Sequence, residues 1–201
     1  MSRRKVIILI IAGLLILDQV VKIWIKSTMT IDQSITVFPH WFYIRFIENP
    51  GAAFGFTFGS GGGGKLFLSL FRIAAVAMLG WYINKLVKKE VPVGVLVGFA
   101  LILAGAAGNI IDSMFYGLIF SESTFASVAT MFPPGGGYAG FLHGKVVDML
   151  YFPIWHGHYP SWLPWVGGDP FTFFSPIFNF ADSYITIGVI YLLLFQRKFF
   201  K

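Results

Sequence analysis

The chain has 201 residues, of which 56% are hydrophobic and only 12% are charged. Soluble domains carry about 25% charged residues, so this composition excludes an ordinary soluble domain and indicates one integral membrane domain. The formal net charge is +6, but the Lys and Arg residues lie mostly beside hydrophobic segments. That placement indicates membrane topology and contact with anionic membrane lipids, and no nucleic-acid partner is expected. Cysteine is absent, which excludes disulfides, thiolate metal sites and a cysteine nucleophile.

The first hydrophobic segment, residues 5–26, is predicted to be an uncleaved membrane helix, because no small-x-small cleavage site follows it. Its basic start is expected to lie in the cytoplasm. Asp18 and Lys22 are spaced i,i+4 with the acid first, which is the favourable orientation for an ion pair. We interpret them as a pair that permits burial near the outer interface.

A polar and aromatic outer loop is predicted over residues 27–64. Within it, residues 41–47 are rich in β-forming side chains and predict a strand. The block Asn49-Pro-Gly-Ala-Ala-Phe-Gly55 predicts a tight turn in which small residues such as Gly51 let another backbone come close. The glycine run over residues 59–64 is predicted to be a flexible linker without chemistry.

Two further membrane helices are predicted over residues 66–87 and 93–115. The positive charges that mark the cytoplasmic side between them are Lys85, Lys88 and Lys89. The second of these helices carries small residues that predict close helix packing, namely Gly94, Gly98, Ala104 and Gly108. Asn109 and Asp112 share one face at its far end.

Residues 117–175 contain no continuous apolar run long enough to span a bilayer. Their Gly, Pro, Trp and Tyr content predicts an irregular domain against the membrane surface. The aromatic side chains expected at headgroup level are Trp155, Tyr159, Trp162 and Trp165. Three histidines that invite a zinc interpretation are His143, His156 and His158. Their spacing is not that of helical ligands, and neither paired Cys nor an HExxH motif accompanies them, so no metal or other cofactor is expected.

A fourth membrane helix is predicted over residues 177–195 and is followed by a basic end. The positive clusters all fall on one side if the chain spans the membrane four times. The sequence therefore predicts an all-α membrane protein of four transmembrane helices with both termini cytoplasmic. Its two outer loops, 27–64 and 117–175, form a small subdomain that contains β-structure.

This topology brings the carboxamides and carboxylates of the membrane segments to one level. Those expected at outer helix ends are Asp18, Asn109, Asp112, Asn179 and Asp182, and those expected in the outer loops are Asn49 and Asp148. A carboxylate costs about 2.5–3.5 kcal/mol at the bilayer centre, so such clustering indicates function. Asn179 and Asp182 are expected to share a helix face. We predict that Asp148 and Asp182 form an aspartyl dyad that shares one proton and activates a water to cut peptides, without metal or covalent intermediate.

Five sequence blocks together resemble the lipoprotein signal peptidases (signal peptidase II). They are Asp18 with Lys22, Asn49-Pro-Gly-Ala-Ala-Phe-Gly55, Gly108-Asn-Ile-Ile-Asp112, Gly144-Lys-Val-Val-Asp148 and Phe178-Asn-Phe-Ala-Asp182. The resemblance implies an aspartyl endopeptidase of the bacterial inner membrane, with its site at the periplasmic face. Its partner would be a prolipoprotein whose signal peptide is removed just before a cysteine that carries diacylglyceryl. The family is also the target of the cyclic peptide antibiotic globomycin, and we expect a monomer.

The resemblance also implies roles for individual residues. Asp148 and Asp182 correspond to the catalytic pair. The residues expected to bind substrate or support the site are Asn49, Gly51, Asn109, Asp112, Asn179, Asp18 and Lys22.

Two departures from the family pattern stand out. Ser113 occupies the position after Asp112 where the family usually has Arg, and Arg72 or Arg45 are candidates to replace that arginine. The spacings around Asp148 are longer than usual, which predicts insertions at about 117–143 and 153–175 that form a lid or a partner-binding surface. Asp169, within the second insertion, is interpreted as a turn residue.

Two other function classes are compatible with intramembrane acids. A proton- or ion-coupled transporter usually places such groups near the midplane and repeats its helices, and neither feature is evident here. A non-catalytic membrane scaffold would need neither acid of the dyad.

Overall fold

The structure is a computed structural model that describes residues 1–50 and 62–200. The predicted turn after Asn49, including Gly51, falls almost entirely outside the described residues. The glycine-rich linker differs from the prediction at its end, because Gly62 to Gly64 already form the first turn of a helix.

Long apolar helices form the larger part of the molecule. They are α1 (Arg3–Thr28), α2 (Gly62–Lys88) and α3 (Val93–Ile111), and α3 continues through a π-helical turn, Asp112–Tyr116, into α4 (Gly117–Ile119). Within residues 1–50 and 62–200, three helical stretches are long and apolar enough to cross a membrane: Arg3–Thr28, Gly64–Lys88 and Val93–Ile119. The last helix, α5 (Phe180–Phe195), is apolar but has only 16 residues. A helical membrane protein is thereby confirmed, and the fourth span stays a prediction.

A small antiparallel sheet lies at one end of the helices. Its strands are β1 (Ser34–Phe38), β2 (Phe42–Asn49), β3 (Val146–Tyr151) and β6 (Ile177–Phe178), in the order β1-β2-β3-β6. A separate hairpin consists of β4 (Trp155–His158) and β5 (Pro170–Phe173). The strand predicted over residues 41–47 is confirmed as β2, and the predicted β-containing subdomain is confirmed with it.

Two predictions about local structure were wrong. Residues 117–175 are not simply irregular, since they supply β3 and the β4–β5 hairpin, and Asp148 lies within a buried strand instead of a loop. The final helix begins at Phe180 and not at residue 177, because Ile177 and Phe178 pair with β3 and Asn179 caps the helix. Strand pairing between distant segments overrode the apolar run that the sequence presents.

Two hydrophobic clusters lie along the helices. One joins Ile7 to residues of α2, α3 and α5, and the other places Ile25 and Met29 under the sheet. Asp18 and Lys22 lie between these clusters along α1. The polar residues of interest therefore lie where the helical bundle meets the sheet.

Glycines on α3 allow the tight packing of α3 against α5, as the sequence predicted. A Cβ at Gly98 would lie 2.5 Å from the Leu192 side chain, and one at Gly105 would clash with the backbone carbonyl oxygen of Ala181. A Cβ at Gly108 would lie 2.6 Å from Asp18 Oδ2 on α1. The helices approach until backbone touches backbone, which fixes the first turn of α5.

Replacing Gly105 with Ala is expected to destabilise the protein by about 1–3 kcal/mol, because the added methyl group meets backbone that has no rotamer to change. The matched control is Gly13→Ala on α1, where nothing lies within 4 Å of the added methyl group. That change is expected to be neutral or to stabilise by about 0.5–1 kcal/mol. Thermal unfolding in detergent, followed by circular dichroism, measures both. Equal unfolding temperatures for the two variants would contradict this packing.

Candidate active site

Asp182 is held in the first turn of α5 by a capping box. The Asn179 side-chain oxygen accepts a hydrogen bond from Asp182 N at 2.9 Å, and Asp182 Oδ2 accepts one from Asn179 N at 3.4 Å. Asn179 has an extended backbone and precedes the helix, so the prediction that the two residues share a helix face was wrong. The capping box brings them together instead, and the backbone N–H of Asn179 holds the Asp182 carboxylate.

Asp148 lies on β3, opposite Ile47 of β2, and is only 2% exposed. Its Oδ1 accepts a hydrogen bond of 2.6 Å from Asn179 Nδ2. The side chain of Asn49, at the end of β2, also hydrogen-bonds to Asp148. Strand β3 and the start of the last helix thus meet through one asparagine.

Asn109 on α3 completes the link between the two carboxylates. Its Nδ2 donates to Asp182 Oδ1 at 2.8 Å, and its Oδ1 accepts from Asn179 Nδ2 at 3.1 Å. The order of contacts is therefore Asp148, Asn179, Asn109 and Asp182. The side chains of Asn179 and Asn109 therefore hold the two acids at fixed positions. The sequence predicted that these four polar residues lie close together.

Both acids line one cavity of about 670 Å³ at the junction of bundle and sheet. Its polar lining residues are Asn49, Arg72, Asn109, Asp148 and Asp182. The rest of its wall is mostly apolar and comes largely from α2, α3 and α5, through residues such as Phe71, Val76, Leu79, Ile102 and Ile185. The cavity therefore contains two carboxyl groups and has a mostly apolar wall.

Lys22 is the buried cation beneath this site. Its Nζ lies 3.0 Å from Asp18 Oδ2 and 2.9 Å from Asp112 Oδ2, and all three side chains are buried. The same Nζ donates to Asn109 Oδ1 at 2.9 Å. The interpretation of Asp18 and Lys22 as a simple pair is incomplete, because Lys22 serves two carboxylates and one carboxamide.

The two carboxylates that Lys22 pairs with reach the backbone beside each acid of the dyad. Asp18 Oδ1 accepts from Ala181 N at 3.1 Å, directly before Asp182. Asp112 Oδ2 accepts from Val147 N at 3.2 Å, directly before Asp148. The charged group around Lys22 therefore holds both acid-bearing segments through their main chains.

Sequence reasoning missed Gln19. Its Nε2 donates to Asp18 Oδ2 at 3.1 Å and to Asp112 Oδ1 at 2.9 Å, while its Oε1 accepts from the Tyr116 hydroxyl at 3.2 Å. Its position next to Asp18 was the only signal in the sequence, since its other partners are distant along the chain.

A second buried charged group, also missed, fastens the predicted first insertion to β2. Lys26 forms a salt bridge with Glu48 and donates to Ser123 Oγ at 2.9 Å. Lys145 Nζ lies 3.2 Å from Glu48 Oε2. The ring of Tyr138 lies 5.0 Å from Lys26 Nζ and 5.3 Å from Lys145 Nζ, in cation–π geometry. Glu48, which directly precedes Asn49 on β2, thus contacts residues of the predicted first insertion.

The other residues singled out in the sequence lie in different places. Ser113 is buried, and its hydroxyl donates to the Asn109 carbonyl oxygen at 3.2 Å. Arg72 lines the cavity, whereas Arg45 pairs with Asp32 at 2.6 Å on the sheet. The structure therefore favours Arg72 over Arg45 as the cation near the two acids.

The three histidines and Asp169 lie near β3 and in the β4–β5 hairpin. His143 precedes β3, and His156 and His158 lie on β4, where His156 Nδ1 is 3.0 Å from Thr172 Oγ1. Asp169 follows the turns that join β4 to β5, and its N–H donates to Val166 O at 3.0 Å. Its interpretation as a turn residue is confirmed.

Burial raises the pKa of Asp148, and the nearby negative charge of Asp182 raises it further, to about 7. Hydrogen bonds from Asn179 and Asn49, and the positive charge of Lys22, act in the opposite direction and do not cancel the rise. Asp148 therefore holds its proton at a pH where an ordinary aspartate is ionised. This arrangement suits general acid catalysis near neutral pH.

The arrangement of the helices, the small sheet and the polar cluster between them is similar to that of two solved bacterial membrane enzymes. A solved bacterial membrane enzyme, determined in meso at 2.3 Å resolution, superposes with a TM-score of 0.63 at 28% identity. The superposition covers 96% of this chain and 88% of that one. A second such structure, at 1.9 Å resolution, gives a TM-score of 0.61 at 29% identity over 94% and 91% of the two chains.

The family model described as signal peptidase (SPase) II matches residues 10–198. A lipoprotein signal peptidase of Porphyromonas gingivalis is 54% identical over 191 residues, covering 94% of this chain and 82% of that protein. Another, of Amoebophilus asiaticus, is 39% identical over 186 residues, covering 90% and 73%. The chain belongs to the signal peptidase II family.

Proposed function

We propose that this chain is an aspartyl endopeptidase that removes the signal peptide from diacylglyceryl-modified bacterial prolipoproteins, cutting before the lipidated cysteine. Membership of a peptidase family supports proteolysis, and the observation that carries the aspartyl mechanism is that Asp148 and Asp182 line one cavity. The test is cleavage of a modified prolipoprotein by the purified chain in detergent, followed by gel shift. The transporter alternative gains no support from the relatives.

In the proposed mechanism, Asp148 is the neutral acid and Asp182 the charged base. Asp182 takes a proton from a water held between them as the water oxygen bonds to the scissile carbonyl carbon. Asp148 gives its proton to the carbonyl oxygen, which forms a tetrahedral diol. The C–N bond then breaks, the proton on Asp182 passes to the leaving nitrogen, and a diol hydroxyl returns a proton to Asp148.

The carboxamides hold the acids in place during these steps. Asn179 and Asn109 fix one oxygen of each acid, at 2.6 Å and 2.8 Å, and leave the carboxyls open to the cavity. Asn49 lines the same cavity and can hold the substrate backbone or the developing oxyanion. The group around Lys22 supports the site, because Asp18 and Asp112 hold the main chain directly before Asp182 and Asp148.

The cavity's composition suits a lipidated peptide. Its polar end contains the two acids, and its wall of Phe71, Val76, Leu79 and Ile102 can pack against acyl chains. In a peptide whose cysteine carries diacylglyceryl, the peptide bond to be cut and the acyl chains lie within a few atoms of each other. We expect membrane lipids to line the same helices, and globomycin to compete for this cavity.

The proposed topology has four spans, both termini in the cytoplasm and the site at the periplasmic face of the inner membrane. Positive charge near the start of α1, at the end of α2 and after α5 supports it. The two acids then lie near the rim of the bilayer, where water is available for hydrolysis. The chain is proposed to act as a monomer.

The cleavage rate is expected to fall as pH rises through about 7, because Asp148 then loses the proton that it donates. The pKa of Asp148 lies above the ordinary 3.8, so the same ionisation lowers the free energy of unfolding as pH rises from about 4 to about 7. Initial rates at substrate concentrations well below KM, which report the ionisation of the free enzyme, measure the first effect between pH 5 and pH 9. Samples held at the highest pH and returned to the lowest should regain full activity, which controls for unfolding. A rate that stays constant across this range would contradict the assignment of Asp148 as the acid.

A further inference from the structure

The β4–β5 hairpin of the second insertion carries large aromatic side chains that pack against little else in the described structure. Trp155, Trp162 and Trp165 are 61%, 77% and 97% exposed. The hairpin is nevertheless ordered by its own contacts, since the Phe171 ring lies 5.2 Å from Trp155 and 4.9 Å from Tyr159. Exposing this much apolar surface on an ordered element indicates that something covers it.

The charge of the hairpin shows what kind of surface it fits. Between residues 152 and 174 the only Asp, Glu, Lys or Arg is Asp169. A nucleic acid or a strongly charged protein would find no complementary charge there. Tryptophan and tyrosine, by contrast, are the side chains that concentrate where lipid headgroups meet acyl chains. The composition therefore favours a bilayer surface.

The connections of the hairpin place it beside the membrane. Trp155 follows the end of β3 by four residues, and the chain after β5 reaches α5 within seven. The Phe174 ring packs edge-on against Phe178 of β6 at 5.9 Å, which ties the hairpin to the start of α5. A helix of 16 residues is about 24 Å long, shorter than a hydrocarbon core of about 30 Å. The start of α5 therefore lies no higher than the boundary of that core, with the hairpin next to it.

We propose that the β4–β5 hairpin is a membrane-surface anchor whose Trp155, Trp162 and Trp165 enter the headgroup region of the leaflet next to the active-site cavity. The occupant of this aromatic surface is the lipid bilayer itself. The inference rests on the proposed topology, and it does not depend on the cleavage chemistry. The anchor holds the inserted region, and with it the β3–β6 edge of the sheet, at a fixed depth relative to a lipid-linked substrate.

Site-specific fluorescence can test this anchor, because the chain contains no cysteine to compete for the label. Trp165→Cys and Trp162→Cys would each carry an environment-sensitive NBD label, in protein reconstituted at low density in phosphatidylcholine vesicles. The reference position is Glu122→Cys in the first insertion, where a carboxylate whose side chain is 66% exposed faces water. Doxyl groups on shallow acyl positions report lipid contact, and iodide in the buffer reports water contact.

We expect labels at positions 162 and 165 to be quenched by shallow doxyl lipid and to be protected from iodide about threefold or more relative to position 122. Equal iodide quenching at all three positions would overturn the proposal. Protection that disappears when the protein is diluted further in lipid would also overturn it, because a second copy of the chain would then be the occupant.

The labelled proteins also separate this proposal from the proposed function. Cleavage of modified prolipoprotein by the same samples is measured in parallel. Normal cleavage with a water-exposed label would reject the anchor alone. Lipid contact without any cleavage, in labelled and unlabelled protein alike, would reject the proposed peptidase function and leave the anchor in place.

Discussion

Replacing Asp148 or Asp182 by Asn is expected to reduce the rate of prolipoprotein cleavage by about 10³-fold or more, because each change removes one of the two groups that transfer protons. The carboxamide has nearly the volume of the carboxylate. Its oxygen can still accept the hydrogen bond of 2.6 Å from Asn179 or of 2.8 Å from Asn109. The cavity is therefore expected to keep its shape while the chemistry stops.

The matched control for the dyad is Asp169→Asn, the same change at an exposed turn residue, which is expected to keep activity within about twofold. Initial rates are measured by gel shift with excess diacylglyceryl-modified prolipoprotein, and circular dichroism verifies that each variant is folded. A chelator such as EDTA is expected to have no effect on the wild type. Rates within tenfold of the wild type for both dyad variants would rule out the aspartyl mechanism.

Replacing Lys22 by Met is expected to destabilise the protein by about 3–5 kcal/mol, because it leaves Asp18 and Asp112 buried without their cation. The two acids also accept hydrogen bonds from Ala181 N and Val147 N. Repulsion between them is therefore expected to displace the segments that carry the dyad, so that activity falls together with stability.

The control for Lys22 is Lys85→Met near the exposed end of α2, which is expected to change stability by no more than about 0.5 kcal/mol. A triple variant, Lys22→Met with Asp18→Asn and Asp112→Asn, removes all three charges and is expected to recover much of the lost stability. Unfolding in mixed detergent micelles measures each free energy. If Lys22→Met unfolds at the wild-type midpoint, the group around Lys22 is not what holds the two segments.

The long helices and the clustering of the polar groups were readable from the sequence, because apolar runs and the polar residues within them are local patterns. An apolar run indicates a helix that contacts lipid, and polar residues such as Asn109 and Asp182 are rare enough to stand out in such runs. The close approach of α3 and α5 was also readable, since Gly98 and its neighbours recur on one helix.

The strand that carries Asp148 was not found because its partners are far away in the chain. β2 ends at Asn49 and pairs with β3 about 100 residues later, so no local window contains the pair. The start of α5 was misplaced for a different reason. Asn179 and Asp182 have the spacing of a capping box, a local signal that would have ended the strand and begun the helix correctly.

The salt bridge between Lys26 and Glu48 makes the first insertion inseparable from the rest of the protein. Ser123 and Tyr138 of the insertion cover these two charges, so a chain shortened there would leave a lysine and a glutamate stranded at the foot of the strand that leads to Asn49. Removing residues 121–138 would thus require neutral replacements at both Lys26 and Glu48. A deletion there and a neutral pair at positions 26 and 48 are therefore expected to be tolerated only in combination.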